Sequence, residues 1–199
     1  MTIYQIAVLL FLFIYFGIVI GLRSYLLFQK TGINPLKQIG KTGAVGFNEK
    51  VLCIATIILP VVAFNYAFIE QNYPLLVPIE YLELAVIKNI GIAYCIIGFS
   101  LVLTAQFHME SDWRIGIDDQ TENSLKVTGL FSLSRNPIYL GLMISFVGFF
   151  MIAPNVLSFC FVVIMYITLE MRIRFEESFL EKTHETVYKE YQRKGGRWI

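Results

Sequence analysis

The side chains best suited to chemistry lie in two short stretches of the C-terminal half, on either side of an uncharged segment. Arg135 precedes that segment, and the stretch from Arg172 to Glu177 follows it with two arginines and two glutamates. Arginine binds carboxylates through paired N–H donors, whereas glutamate accepts hydrogen bonds from hydroxyl and ammonium groups. Brought together, these residues would bind a zwitterionic or mixed-charge ligand.

The uncharged segment between them runs from Pro137 to Leu169, which is 33 residues. A membrane-spanning helix needs about 20 apolar residues, so the segment is too long for one span. Pro154-Asn155 lies near its middle and is a turn signal. We therefore predict a tight hairpin of two helices, Ile138–Ala153 and Val156–Met171.

A hairpin returns the chain to the side from which it started, so we expect Arg135 to lie beside the segment from Arg172 to Glu177. Ionisable residues close to a membrane core are functional candidates. Pro137 suits the first position of a helix, and residues 134–136 would supply capping oxygens. Arg135 would then help a helix N-terminus to bind an anion, although an anchor at the cytoplasmic interface would also place an arginine there.

The composition of the chain indicates a membrane protein. Of its 199 residues, 56% are hydrophobic and 16% are charged, against about 25% charged in soluble domains. This excludes a disordered chain, a soluble nucleic-acid binder and a coiled coil. The net charge of +1 implies no strongly charged partner.

Three further apolar runs, Ile3–Leu22, Val51–Ile69 and Leu84–Phe107, are each long enough to cross a bilayer. We therefore predict an all-α integral membrane protein of one domain, with five transmembrane helices of which the last two form the hairpin. Residues 1–107 would hold three helices, and residues 108–199 would form the catalytic region. That region comprises a cytoplasmic loop, the hairpin at 138–171 and a C-terminal amphipathic helix with Phe175, Phe179, Leu180, Tyr188 and Tyr191 on its apolar side.

The basic residues predict the orientation. Fifteen of the sixteen lysines and arginines fall in segments on one side of the predicted spans, and Lys88 is the exception. The loop from Glu70 to Glu83 has three glutamates and no basic residue. By the positive-inside rule, the N-terminus lies outside and the C-terminus in the cytoplasm. The first span would be a retained anchor, in the inner or plasma membrane if the chain is bacterial.

A metal site is not expected, because the cysteines and histidines are isolated and lack ligand spacing. They are Cys53, Cys95, Cys160, His108 and His184.

Four segments in order resemble the isoprenylcysteine carboxyl methyltransferase family and its phospholipid methyltransferase relatives. The first resembles the bacterial branch of that family, and the others resemble its Gly-hydrophobic stretch, its Arg-His-Pro-x-Tyr-x-Gly motif and its C-terminal Glu-Glu…Tyr-x-x-Tyr…Arg motif. They are Asp112–Ile117 with Gln106 and Met109, Leu125–Phe131, Arg135–Gly141, and Glu176-Glu177 with Leu180, Tyr188, Tyr191 and Arg197.

The resemblance implies an enzyme that transfers a methyl group from S-adenosylmethionine to a lipophilic or small acceptor at the cytoplasmic membrane face. It implies catalytic roles for Arg135, Arg172 and Glu177, and acceptor binding by Gln106, Trp113 and Arg114. Aromatic faces of Tyr139, Tyr188 or Trp198 would suit the adenine or the sulfonium. The implied cofactor-binding residues are Arg135, Asn136, Pro137, Tyr139, Glu176, Glu177, Tyr188, Tyr191 and Arg197.

The chain departs from the family pattern at two positions. Asn136 stands where the prenylcysteine enzymes have histidine, so a role of that imidazole does not carry over. Glu185 stands where the family often has glycine before the tyrosine pair. The first departure makes methyl transfer a safer expectation than a prenylcysteine substrate.

Several alternatives stay open from the sequence. A membrane reductase of the sterol-reductase type, which uses NADPH, resembles this family in its C-terminal region. A non-enzymatic membrane scaffold is the other alternative, and the paired arginines and glutamates argue against it. The methyl acceptor is open among a carboxylate, an amine and a thiol, and the last two would need a base such as Glu177. The lipid bilayer is the expected partner, nucleic acid is not, and the oligomeric state is undetermined.

Overall fold

The computed structural model of the protein describes residues 1–32, 43–109, 125 and 127–199. Within these ranges the regular elements are helices, with two isolated β-bridges and no strands. Short 3₁₀ turns lie at Tyr73–Leu76, Glu80–Leu82 and Gly129–Ser132. The longer helices are α1 Ile3–Leu12, a π-helical continuation Phe13–Leu22, α2 Arg23–Thr31, α3 Gly43–Thr56, α4 Ile58–Phe68, α5 Ala85–Met109, α6 Pro137–Ile152 and α7 Val156–Lys194.

Four helical stretches in the described ranges are long and apolar enough to cross a membrane: Ile3–Lys30, Gly43–Phe68, Ala85–Met109 and Val156–Lys194. The chain is therefore an integral membrane protein. Helix α6 is shorter, with 16 residues, which corresponds to about 24 Å against a hydrocarbon core of about 30 Å. The count of five membrane crossings stays a prediction.

The predicted apolar runs are all helical, but the helices extend beyond several of them. The first continues through Arg23 to Thr31, and the second begins at Gly43, well before Val51. A helix needs no change of pattern where it leaves the hydrocarbon, because its backbone groups stay hydrogen-bonded to one another. Hydropathy therefore marks the part of each helix that lies in the hydrocarbon core and does not determine where the helix begins or ends.

A break separates α3 from α4 at Ile57. Pro60 lies one turn later and lacks the N–H group that would bond to the carbonyl of Thr56. At the break, the Ile57 N–H bonds to the Ile54 carbonyl, three residues back, at 3.1 Å. In a regular α-helix it would bond to the Cys53 carbonyl, four residues back. The interruption is thus a local consequence of the proline.

The C-terminal region differs from its prediction, because no separate helix begins after Met171. Helix α7 continues without interruption to a break at Glu185, whose φ is 36° and ψ is −106°. Beyond the break the chain returns along α7, so that the Gln192 amide reaches Glu181 at 2.8 Å. Arg197 likewise contacts Glu170 at 3.0 Å, although these two residues would be about 40 Å apart in a straight helix.

The two ends of the helix bundle are distinct. At one end the Gln5 amide donates to Glu70 at 2.8 Å, and the Ile79 N–H donates to the Pro154 carbonyl at 2.8 Å. The N-terminus, the 70–84 segment and the hairpin tip therefore meet there. The beginning of α6 and the C-terminal residues lie at the opposite end.

Helices α5 and α6 approach each other closely along a seam of glycines. Gly91 and Gly98 of α5 face Gly148 and Gly141 of α6, and in both helices the two glycines are seven residues apart. A Cβ atom added to Gly98 would lie 2.5 Å from the Gly141 carbonyl oxygen. Small residues allow helix backbones in a membrane to pack at such short range. The seam therefore positions the beginning of α6, and Arg135 with it, relative to α5.

Buried aromatic rings join four helices around this seam. Phe11 of the first helix contacts Phe99 of α5 and Phe149 of α6, with ring centroids 4.9 and 4.8 Å apart. Phe146 of α6 contacts Phe161 of α7 edge-on at 4.9 Å. Tilted and edge-on pairs are the favoured arrangements of aromatic rings.

Replacing Gly98 with valine should destabilise the bundle by about 1–3 kcal/mol, since the atoms that the new side chain meets are mostly backbone and cannot move aside. Thermal unfolding in detergent measures the effect. Gly17→Ala is the matched control, because a Cβ atom there meets only Phe13 ring atoms at an ordinary 3.6 Å. Equal stability of the two variants would contradict the close approach of α5 and α6.

Replacing Glu185 with glycine should stabilise the protein by about 1 kcal/mol, because glycine adopts a positive φ without strain. Glu185→Ala should bring no such gain, which separates the backbone effect from loss of the charge. Lys182→Gly, three residues earlier in regular helix, should instead lower stability by about 1 kcal/mol. Unfolding by heat or denaturant in the same detergent gives all three values, and a loss in Glu185→Gly would contradict the strained break.

Candidate active site

A buried glutamate holds two arginines at the end of the bundle where α6 begins. Glu177 is 7% exposed, and its two oxygens face different partners. One lies 3.0 Å from a guanidinium nitrogen of Arg135, and the other accepts from Arg197 at 2.8 and 3.1 Å. Arg197 also donates to Glu170 at 3.0 Å. We call these four residues the Glu177 cluster.

Local sequence explains how this cluster assembles. Glu170 and Glu177 are seven residues apart on α7, which places them on the same face two turns apart. Arg135 directly precedes α6, whose first residues are Asn136 as N-cap and Pro137 at N1, as expected for Pro137. Arg197 arrives only because the chain reverses at Glu185.

Backbone contacts fix the C-terminal segment against the beginning of α6. Ser134 and Gly196 form a parallel bridge, and the Arg135 N–H donates to the Gly196 carbonyl at 3.1 Å. The Asn136 amide donates to the carbonyl of Arg197 at 3.0 Å. Of residues 134–136, which were predicted to supply capping oxygens, Ser134 accepts from the Asn136 N–H at 3.1 Å. The Asn136 side chain makes no capping bond and holds the C-terminal segment instead.

Glu170 is a member of the cluster that the sequence analysis missed. Besides Arg197, it accepts from the indole N–H of Trp198 at 3.3 Å and pairs with the exposed Arg174 at 3.1 Å. Trp198 in turn stacks on Tyr166, with ring centroids 6.3 Å apart. The signal was available, because Glu170 stands four residues before Arg174 and seven before Glu177.

A second polar group, centred on Tyr139, adjoins the first. The Tyr139 hydroxyl donates to Glu176 and accepts from the Arg172 guanidinium at 2.8 Å. Arg172 also contacts Glu176 at 3.3 Å. We call these three residues the Tyr139 group. Because Tyr139 lies one helical turn after Arg135, the group and the Glu177 cluster are neighbours, as the hairpin prediction required.

The two C-terminal tyrosines anchor the reversed segment. The Tyr191 hydroxyl donates to the Phe131 carbonyl at 2.5 Å, and Tyr188 is 1% exposed with its ring edge-on to that of Tyr191.

Hydrogen bonding from Arg197 to Glu177, helped by the charge of Glu170, raises the pKa of the Arg197 guanidinium above its usual value.

Two buried polar atoms of the cluster are incompletely bonded among the described residues: Arg135 Nε has no hydrogen-bond partner, and Glu177 Oε1 has only its 3.0 Å ion-pair contact with the Arg135 guanidinium. The first is a donor suited to a carboxylate, and the second is an acceptor suited to a hydroxyl or an ammonium. S-adenosylmethionine carries a carboxylate, an ammonium and ribose hydroxyls, so the residues present fit that cofactor.

The predicted acceptor-binding residues are placed differently from one another. Gln106 is buried near the end of α5, where its side-chain amide donates to the Val19 carbonyl at 3.2 Å and its backbone carbonyl accepts from Arg23 at 2.7 Å. It thus joins the first and third long helices. Trp113 and Arg114 lie outside the described residues. Within the described ranges, no three His, Cys, Asp or Glu side chains are grouped to hold a metal ion.

Asn48 and Glu49 of α3 were also missed. Both are buried, at 4% and 6% exposure, and the Asn48 amide donates to the Thr168 carbonyl of α7 at 2.9 Å. The sequence analysis began this span at Val51, so the two residues were assigned to a connecting loop.

Comparisons with known proteins agree with the helical membrane fold. A sequence model of the phospholipid methyltransferase family matches residues 86–187, which is 102 of the 199 residues. No curated protein gives a significant match. A solved structure of the eukaryotic intramembrane Ras methyltransferase, isoprenylcysteine carboxyl methyltransferase without a monobody, is 20% identical with a TM-score of 0.53, covering 93% of this chain and 73% of its own. At that identity the likeness concerns the fold.

Glu177→Gln should destabilise the protein by about 2–4 kcal/mol, because it leaves two guanidinium groups without their shared carboxylate. The lower end of this range is expected, since the Arg197 side chain is 34% exposed and solvent screens it. Glu190→Gln, at an exposed position beyond the break at Glu185, should change stability by less than about 0.5 kcal/mol. Thermal unfolding compares the two variants. Equally small effects would contradict a stabilising role of Glu177 in the Glu177 cluster.

Proposed function

The chain belongs to the phospholipid methyltransferase family, and from that premise we propose that it transfers the methyl group of S-adenosylmethionine to a lipophilic or small membrane-accessible acceptor. The observation that carries the proposal is the buried ion pair of Arg135 and Glu177, in which Arg135 Nε has no hydrogen-bond partner among the described residues. Both residues lie inside the segment that the family model matches. A buried donor without a partner is uncommon in folded proteins, and a ligand carboxylate would satisfy it.

We propose that the Glu177 cluster binds the cofactor. Arg135 would bind the carboxylate, and Glu177 would accept a hydrogen bond from a ribose hydroxyl or the ammonium. Arg197 would hold Glu177 in place, and Asn136 would fix the backbone of Arg197. Pro137, Tyr188 and Tyr191 would complete the cofactor site beside them. The bound cofactor supplies an activated methyl group, which the protein itself does not contain.

The Tyr139 group would complete the site on its other side. Arg172 is 9% exposed and Tyr139 lies against it, so a methyl acceptor beside them would be largely shielded from water. Orientation of two reactants in a confined site lowers a barrier by up to about 7–11 kcal/mol. Arg172 would orient an anionic acceptor, and Glu176 would bind a cationic one.

We propose further that the site faces the cytoplasm, with the N-terminus outside, in the inner or plasma membrane if the source is bacterial. The distribution of basic residues supports this orientation. The N-terminus and the site also lie at opposite ends of the bundle, which suits an odd number of crossings. Mass spectrometry of lipids and thiols after incubation with methyl-labelled cofactor would identify the acceptor.

S-adenosylhomocysteine should raise the unfolding temperature of the protein, because a ligand that binds only the folded state stabilises it. NADPH at the same concentration should have no effect, since no reductase site is proposed. Thermal-shift measurements in detergent compare the two. Stabilisation by NADPH alone would reject methyl transfer in favour of the membrane-reductase alternative.

Arg135→Lys should weaken S-adenosylhomocysteine binding by about tenfold or more, since lysine keeps the charge beside Glu177 but loses the Nε–H donor and the planar fork. Isothermal titration calorimetry gives the dissociation constant. Arg174→Lys is the matched control, because the Arg174 side chain is 65% exposed and its only ion pair with a described residue is the one with Glu170. An unchanged affinity in Arg135→Lys would remove Arg135 from the binding site.

A further inference from the structure

Two adjacent polar side chains on α3 are buried without full hydrogen bonding. Asn48 and Glu49 are 4% and 6% exposed. Asn48 Oδ1 and Glu49 Oε2 accept no hydrogen bond from any of the residues that the structure describes. A buried acceptor without a donor is costly, and more so when it carries a charge. Such a pair is expected where a ligand supplies the missing donors.

Their position places them beside the Tyr139 group. The Asn48 amide bonds to the Thr168 carbonyl, and Thr168 precedes Arg172 by one turn of α7. The Glu49 carboxylate is close enough for its charge to stabilise the Arg172 guanidinium. Phe47, next to these residues, is 66% exposed, so this part of α3 lies at the surface of the bundle.

The charge of this region selects among ligands. Within the Tyr139 group Arg172 and Glu176 compensate each other, so Glu49 leaves one excess negative charge among these described side chains. A carboxylate ligand would meet like charge at short range, in surroundings that screen it poorly. A head group that donates hydrogen bonds would satisfy both Asn48 Oδ1 and Glu49 Oε2.

We infer that Asn48 and Glu49 form a binding site on α3 for the hydrogen-bond-donating head of the methyl acceptor, an amine, hydroxyl or thiol in preference to a carboxylate. The inference rests on the proposed methyl transfer, because it places this site next to the cofactor-binding cluster. It gives α3 a part in selecting the acceptor, although α3 lies outside the segment that the family model matches.

Two amphiphiles of equal chain length, dodecylamine and lauric acid, test the site without any methyl transfer. The full-length protein in phosphatidylcholine nanodiscs at pH 8 is titrated with each, and the shift of unfolding temperature gives the dissociation constants. The wild-type protein should bind dodecylamine about tenfold or more tightly than laurate, as expected for hydrogen bonds to a charged group. In Glu49→Gln the preference should fall below about threefold.

Glu80→Gln is the matched control, because it removes the same charge at an exposed position and should keep the wild-type preference. Glu49→Asp retains the carboxylate and should keep part of it, which serves if Glu49→Gln folds poorly. An absent preference in the wild-type protein, or one that survives in Glu49→Gln, would overturn the site. S-adenosylhomocysteine should bind wild type and Glu49→Gln alike, so failure of that binding in wild type rejects the proposed function separately.

Discussion

The pairing of one buried carboxylate with two arginines is the interaction on which the arrangement of this site depends. Glu177 lies on α7 and joins two other parts of the chain to that helix. Through Arg135 it binds the segment that precedes α6, and through Arg197 it binds the C-terminal residues. A buried charge without partners is strongly unfavourable, so none of the three parts can move away alone. The contacts between Ser134 and Gly196 and between Asn136 and Arg197 then fix the backbone around the same point.

Two backbone features bring these partners within reach of one another. The glycine seam lets α5 and α6 approach closely, and this fixes the position of Arg135 at the beginning of α6. The break at Glu185 reverses the chain, which places Arg197 beside residues that a straight helix would leave far away. Glycine would adopt this conformation more easily than glutamate, and the related family often has glycine there. The protein thus maintains a strained residue where its site requires a reversal.

The hairpin and the convergence of Arg135 with Arg172–Glu177 were predictable, because an uncharged segment with a central turn must return the chain to its starting side. The role of Asn136 was not, since a side chain before a helix can cap it or bond elsewhere, and the choice depends on the arrival of the C-terminal segment. The sequence analysis missed Glu49 for a different reason. Hydropathy locates the apolar part of a helix, whereas Glu49 lies on a polar extension that packs against α7.

The sequence by itself determined the class of the protein, its apolar helices and the residue types gathered in its C-terminal half. These follow from local physics, since hydrophobic length, turn residues and helical spacing act over a few residues at a time. Only the tertiary structure decided which carboxylate meets which arginine, because those pairs depend on the closeness of α5 and α6 and on the reversal at Glu185. It also brought α3 to the edge of the site, a contact between residues 120 positions apart that no local pattern encodes.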